Sequence, residues 1–523
     1  MAFQIEALRV PGVEEKALEN IKINAARGLP QVPLHDYSLR RINVCGNGPS
    51  LKEIWPDNHH SEVVASLNGA WRALQENGVS SDYIIAYDPS PENVAWFKNA
   101  PKDTKYILGS RMDPAVFDLL QDHQVYIWHL LSDNERALKL SPLFGGGHTV
   151  GSAALNLLAG MGYNHFDLYG YDSCWSGNEH HAAPQEWAVE PPRPYSTNDG
   201  QTFMASPWMV GQVEQMLAQV LENTPDYTVK VHDKGMLAAS LETNTLNVVY
   251  DLNVAPGSFD FMHSLFNVRH YMHENRWSKA RVHFKAGSEK GFRPNELIQM
   301  SHAGKQRMLN KVVRPMLEMH GMEECEIPEH NRMEFSYSPA ESLARYRATH
   351  HMPRFQPSRE AMLWALENYS DGPIVITLRE CTYWPQRNSD TFEWIKFARY
   401  IGDSKRVIFL RDTDCVGQPF EFETCDEASL DLHKRMALYR RASMCFFVMN
   451  GPASLAYYTQ YIPYGVFLTS APGYPCYSPE FLQRFIGIDP YGQFPWTNLK
   501  RQLLVYGDDD FEAIKKVYHG LTK

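Results

Sequence analysis

A glycine turn, Gly46-Asn47-Gly48-Pro49-Ser50, follows the apolar run Arg41-Ile42-Asn43-Val44-Cys45 without interruption. Its glycines permit a tight bend and let backbone N–H groups approach an anion. Pro49 and Ser50 suit the first turn of a helix, whose positive end favours phosphate. A plain strand-to-helix turn would use the same residues, but a place after the first strand of an alternating pattern favours ligand binding. The turn is not GxGxxG and no Walker lysine follows, so neither a nicotinamide-dinucleotide site nor a P-loop is implied. Three other apolar runs end in polar residues: Asn68 before Gly69, Asp88 before Pro89 and Ser90, and Gly109 before Ser110. Ligands of open parallel sheets gather at such carboxyl ends. There Asn68 suits a base or sugar, and Asp88 a ribose or a Mg2+ ion.

Gly145-Gly146-Gly147-His148-Thr149 leads into a helical stretch at 152–161. A glycine-rich helix entry makes an anion cradle, with Thr149 and Ser152 as hydroxyl donors. A flexible loop with a good N-cap is the plainer account. Further on, a strand at 166–169 ends on Gly170-Tyr171-Asp172 and opens a polar loop holding His180 and His181. A strand-end aspartate beside histidines suits acid–base chemistry or a metal ion, and a solvated loop fits the pattern equally well. No HxH or HxxxH spacing assigns a metal ligand. In the C-terminal third, Arg379, Arg387 and Asn388 follow one strand, Arg411 another, and Asn450 to Ser454 a third. Strand-end arginines suit bidentate diphosphate binding; salt bridges on a structural lobe are the alternative.

The elements that must position these residues are short. Apolar runs at 62–67, 83–86, 106–108, 125–128 and 166–169 are interleaved with helical segments at 93–98, 114–121 and 152–161. That alternation predicts a parallel sheet covered by helices, closed by a strand at 227–232. Residues 1–38 read as an N-terminal extension, with a helix at 14–26, and residues 39–250 as a Rossmann-like nucleotide-binding domain. Residues 251–357 read as a helical, Met-rich connecting region. A second Rossmann-like lobe spans 358–523, with strands at 373–378, 406–410, 444–448, 465–468 and 502–506.

At 523 residues the chain exceeds a single core, so several domains are expected. A formal charge of −11 argues against a generally basic nucleic-acid binder, leaving the basic stretch at 305–314 as a solvated helix face or a local acceptor patch. The eight cysteines form no CxxC pair, which argues against a disulfide framework or zinc knuckle. The first residues lack the pattern of a signal peptide, and no apolar run is long enough to span a membrane. A cytoplasmic location is expected.

The strings CGNGPSL, SLNGAW, AYDPS, GHTVGSAALNLLAGMGYNHFDLYGYD and TNDGQTFMASPW, in that order, resemble the MptE-like superfamily. That group holds archaeal 6-hydroxymethylpterin diphosphokinases and Maf-type flagellin glycosyltransferases. It is similar in turn to bacterial sialyltransferases that use CMP-sialic acid. The resemblance implies that residues 46–50 face donor phosphates, that Asn68 and Asp88 sit near the nucleotide, and that residues 149–152 contact the donor. It puts Asp172 at the heart of the site and a catalytic histidine in the loop after it, with His180 and His181 as candidates. The C-terminal lobe looks like the donor-diphosphate side of two-lobed glycosyltransferases.

The expected fold class is therefore α/β: two Rossmann-like lobes in a GT-A/GT-B-like glycosyltransferase architecture, joined by a helical region. The expected function is transfer of a sugar from a CMP-, UDP- or GDP-linked donor to an acceptor hydroxyl, with Mg2+ as a candidate cofactor. The acceptor is a glycan, a protein or a modified nucleic acid. The alternatives are a Mg2+-dependent diphosphokinase of the 6-hydroxymethylpterin type and a non-catalytic nucleotide-binding protein.

Overall fold

Continuous rather than alternating apolar runs mark strands buried on both faces, and those of the first 250 residues behave so. They form β1 (Arg40–Cys45), β2 (Val63–Leu67), β3 (Tyr83–Ala86), β4 (Lys105–Gly109), β5 (Gln124–Leu130), β6 (Leu143–Phe144) and β7 (Tyr163–Tyr169). A hairpin of β8 (Arg193–Ser196) and β9 (Thr202–Ala205) follows, then β10 (Thr228–Val231). The structure, a computed structural model, describes residues 13–35, 40–56, 63–147, 149–182, 191–285, 302–327, 332–382, 384–469 and 478–522.

Eight of these strands make one sheet in the order β10-β7-β1-β2-β3-β4-β5-β6, with every neighbour parallel. Its core joins Ile42 and Val44 of β1 to Phe166 and Leu168 of β7, and to Ala154, Leu157 and Leu158 of the helix Val150–Gly160. The helical segment expected at 93–98 is a 3-10 helix, Pro91–Phe97, preceded by a turn in which Asp88 Oδ1 accepts the Ser90 N–H. The N-terminal helix Val13–Ala25 docks through Asn20 and Asn24, which donate to the backbone carbonyls of Ser110, Arg111 and Met112.

The chain divides into two compact units, Met1–Thr245 and Leu246–Lys523. The second unit begins with the stretch expected to be helical. It does hold the helices Phe261–Asn275, His302–Met308, Arg314–Met319 and Pro339–Thr349. It also holds a sheet of β11 (Thr245–Asp251), β12 (Lys279–Lys285), β13 (Glu323–Glu324) and β14 (Arg332–Glu334), in the order β13-β12-β11-β14. The strands β15 (Ile374–Thr377), β16 (Val407–Leu410), β17 (Met444–Val448), β18 (Tyr464–Leu468) and β19 (Gln502–Tyr506) then form a parallel sheet ordered β16-β15-β17-β18-β19. Trp394, Phe446 and Phe467 fill its core. Each unit thus carries a Rossmann-like parallel sheet.

Candidate functional site

Strands β2 to β6 step away from β1 in one direction, while β7 returns to the other flank of β1 and β10 lies beyond it. The connections leaving β1 and β7 therefore diverge, opening a crevice at their carboxyl ends, where ligands of such sheets bind. The glycine turn of residues 46–50 and the Gly170-Tyr171-Asp172 segment meet there. Gly46 N–H donates to Tyr169 O and Gly48 N–H to Gly170 O, both at 2.8 Å. A Cβ on Gly48 would lie 2.2 Å from Asp172 Oδ2 and 2.6 Å from Gly170 O, so only glycine permits this approach.

Asp172 Oδ2 accepts the Ser50 backbone N–H at 3.1 Å and the Ser50 hydroxyl at 2.9 Å. Ser50, at the end of the glycine turn, thus receives the protein's own carboxylate, while the Gly46 and Gly48 N–H groups meet the backbone carbonyls of Tyr169 and Gly170. Burial pushes the Asp172 carboxyl above its ordinary pKa, and the two Ser50 bonds pull it back. A second carboxylate, Asp233, follows β10. Its Oδ2 accepts Tyr171 N–H at 2.9 Å and its Oδ1 accepts Gly235 N–H at 3.1 Å. Burial first, and the charge of Asp172 second, push Asp233 up to about 6. Sequence reasoning missed this residue; its only signal was its place after the closing strand.

The loop after Asp172 folds back over the glycine turn. Trp175 N–H donates to Met204 O of β9 at 2.7 Å, and its indole N–H to Ser206 Oγ at 3.3 Å. At the other end of the loop, Ala182 N–H donates to Asn47 O at 2.8 Å, with His181 Nδ1 3.1 Å from the same oxygen. Between these anchors the His180 ring stacks on Trp175, centroids 4.6 Å apart, and touches His181 at 4.4 Å, with Trp208 beyond. His180 Nε2 is buried and has no hydrogen-bond partner among the described residues. Burial lowers the His180 pKa, which keeps the ring neutral near pH 7.

A third wall is the start of the helix Val150–Gly160. Thr149 and Ser152 cap it reciprocally in a capping box. Thr149 also donates to Gln212 Oε1 at 2.7 Å, and Gln212 Nε2 donates to Ser173 Oγ at 3.1 Å, tying the helix entry to the residue after Asp172. Ser152 is fully buried, so its hydroxyl serves the cap. His148 lies outside the described residues. Asn68, Asp88 and Gly109-Ser110 occupy the same sheet edge, one, two and three strands from β1. Asn68 is held in left-handed backbone, φ 50°, with its Oδ1 buried and unpartnered among the described residues. Asp88 Oδ1 accepts Ser90 N–H at 2.9 Å, which gives that carboxylate a turn-forming role.

The second unit has its own divergence point, between β15 and β17, and the strand-end residues expected there do converge. Arg379 donates to Trp384 O at 2.9 Å and to Asn388 Oδ1. Arg387 Nη2 donates to Met449 O at 3.0 Å, spanning the two strand ends. Arg411 makes a bidentate pair with Glu380, at 2.6 and 2.7 Å. Asn450 Oδ1 accepts Ala453 N–H at 3.0 Å and Ser454 donates to Gly451 O at 2.7 Å. These groups fasten the loop at 379–389 and the turn after β17. Among the described residues no group of three or more His, Cys, Asp or Glu side chains is placed to hold a metal ion, and no helix is long and apolar enough to cross a membrane.

Residues 15–178 match the family described as 6-hydroxymethylpterin diphosphokinase MptE-like, so the segment carrying β1 to β7 and Asp172 resembles that family. Among solved structures the chain is similar to a Maf glycosyltransferase from Magnetospirillum magneticum AMB-1, at 16% identity over 43% of this chain and 37% of that one, TM-score 0.36. It therefore spans well under half of that protein. It is also similar to a mammalian sialyltransferase, at 14% identity over 44% of this chain and 87% of that one, TM-score 0.26. A third likeness is to the UDP-GlcNAc 2-epimerase of Methanocaldococcus jannaschii, at 10% identity over 93% of each chain, TM-score 0.23. No curated protein sequence matches the chain.

Proposed function

We propose that the β1–β7 crevice catalyses transfer of a sugar from a nucleotide-linked donor to an acceptor hydroxyl. The observation that carries this reading is His180: a neutral, buried imidazole nitrogen without a partner among the described residues, in an aromatic setting on the loop that follows the strand-end carboxylate Asp172. The faces of Trp175 and Trp208 suit a sugar ring or a base. In the step proposed, His180 Nε2 takes the proton of the acceptor hydroxyl as its oxygen bonds to the anomeric carbon. The bond from that carbon to the donor phosphate oxygen breaks, and the nucleotide leaves with the electron pair. Asp172, held by Ser50 at the head of the same loop, fixes the start of the segment that carries His180. His181, anchored on Asn47 O, positions the loop.

The match of residues 15–178 to the pterin diphosphokinase-like family supports a second reading. In it the oxygen of a pterin-like alcohol bonds to the β-phosphorus of ATP as the bond from that phosphorus to the α–β bridging oxygen breaks and AMP leaves, and Asp88 or Asp172 would hold a Mg2+ ion that neutralises the phosphates. Melting curves with CMP-, UDP- and GDP-sugars and with ATP, each with and without Mg2+, separate the two, because ligands of the native state raise the melting temperature. A response to nucleotide sugars, with donor turnover lost in His180→Gln, is the expected result. A response confined to ATP with Mg2+ would overturn the glycosyl-transfer reading.

A further inference from the structure

From the second unit we infer a phosphate-type oxyanion site built around Arg269, independent of the reading given for the β1–β7 crevice. Arg269 lies on the helix Phe261–Asn275 with only 2% of its surface exposed. Its Nη2 donates to the backbone carbonyl of His320. Its Nε and Nη1 are buried and have no partner among the described residues, and no carboxylate there pairs with it. Burial alone pulls this guanidinium down to about 10. A buried charge is ordinarily paired, because its desolvation otherwise goes uncompensated.

Other buried arginines keep a protein partner for their charge or for most of their N–H groups. Arg411 grips Glu380 with two bonds and leaves only Nη1 unpartnered, Arg111 pairs with Glu14, and Arg435 donates to the carbonyls of Ala428 and Ser429. Arg269 differs in having two unpartnered nitrogens and no carboxylate among the described residues, and its neighbours add donors instead of acceptors of charge. His320 is fully buried, its Nε2 faces Met262 Sδ at 3.5 Å, and its Nδ1 has no partner among the described residues. His270, next to Arg269 on the helix, is also fully buried; its Nδ1 faces Thr349 Oγ1 at 3.2 Å while its Nε2 is unpartnered. The Phe266 ring packs against both imidazoles, at 6.1 Å from His320 and 6.4 Å from His270. Met262, Phe266, Arg269 and His273 fall on one helix face at spacings of four, three and four residues. Burial first, and the Arg269 charge second, hold His320 well below its ordinary pKa, so its ring is neutral.

A tetrahedral oxyanion matches this set. It neutralises the guanidinium, accepts from Nε and Nη1 through separate oxygens, and takes an N–H from His320 Nδ1 in the tautomer protonated there. Chloride offers one charge without separate acceptor atoms, so the site should prefer phosphate and sulfate over chloride.

The test uses the full chain, exchanged into a gluconate buffer of fixed ionic strength and titrated with inorganic phosphate, sulfate or chloride while the melt of the second unit is followed. The melting temperature should climb with the logarithm of phosphate or sulfate concentration, and the climb should vanish in Arg269→Met. Should Arg269→Met not fold, His320→Phe keeps the packing, removes the Nδ1 donor and should flatten the phosphate slope. No dependence on any anion in the wild type, a response to chloride alone, or a phosphate slope untouched by both substitutions would each overturn the site.

Discussion

At the β1–β7 crevice a buried imidazole nitrogen is left without a partner among the described residues, whereas at the β15–β17 crevice the protein engages the arginines, and of their buried nitrogens only Arg411 Nη1 lacks such a partner. In the first unit Asp172 is fixed by one serine and His180 presents a buried nitrogen without a partner among the described residues. In the second, Arg379, Arg387 and Arg411 donate to protein carbonyls, an asparagine and a glutamate. Both crevices arise from the same rule of sheet topology. Topology therefore offers a place for a ligand at both crevices, and the state of the hydrogen bonds is what differs between them.

The largest expected effect lies at His180. Replacing it with Gln should lower transfer about 10²–10⁴-fold, the range for loss of a general base, with the melting temperature little changed. Transfer measured alongside Arg387→Gln sharpens the contrast. If the arginine variant loses as much activity while staying folded, the second crevice is not merely structural and the comparison breaks.

Glu380→Ala should unfold more than it inactivates. It strands the Arg411 guanidinium, whose side chain is 8% exposed, and removing one partner of a buried pair costs about 3–5 kcal/mol. Urea unfolding of the second unit checks this. A cost within about 0.5 kcal/mol, the range for ordinary surface changes, would show that the pair is solvated and the arginine available for a ligand.

What the sequence made legible follows the same divide. The glycine turn, the strand-end Asp172 and the histidine loop were readable because each lies within a few residues of a strong strand signal. Asp233 was not, because its partner Tyr171 is 62 residues away and the adjacency of β10 and β7 is a long-range pairing. Arg411 read as a diphosphate ligand or a salt-bridge residue, and the sequence did not choose between them because Glu380, 31 residues earlier, sits on a neighbouring strand end. The sheet of β11 to β14 escaped notice because two of its strands are only two and three residues long, too short for any periodicity to show.

Acidification should act with opposite sign on Asp233 of the first unit and on the buried histidines of the second. Asp233 is pushed up to about 6 in the folded state, against about 3.9 in an unfolded chain. Between those values the native state holds a proton the unfolded chain has lost, so the Asp233 contribution grows as pH falls from 6 to 4. His263 and His270 are lowered to about 3, and His273 to about 4, by burial. The unfolded chain protonates them below about 6.5, so their contribution is lost as pH falls through that value. Wild type minus Asp233→Asn stability should therefore rise on acidification, and wild type minus His263→Gln stability should fall. Parallel changes in both differences would sink the contrast.

The smallest effect tests the geometry on which the first crevice depends. In Gly48→Ala the new methyl would collide with Asp172 Oδ2 at 2.2 Å and with the Gly170 carbonyl at 2.6 Å. The carboxylate can rotate, at the cost of its Ser50 bonds, but the Gly170 carbonyl belongs to the backbone leaving β7 and cannot yield cheaply. Overpacking of this kind costs about 1–3 kcal/mol, with most of the loss in the first unit. Ser50→Ala provides the companion measurement, since it removes one bond to Asp172 without adding an atom. If Gly48→Ala costs no more stability than Ser50→Ala, the turn is loose enough to admit a side chain. Asp172 would then not be pinned by the glycine turn, and the first crevice would lose the fixed charge that distinguishes it from the second.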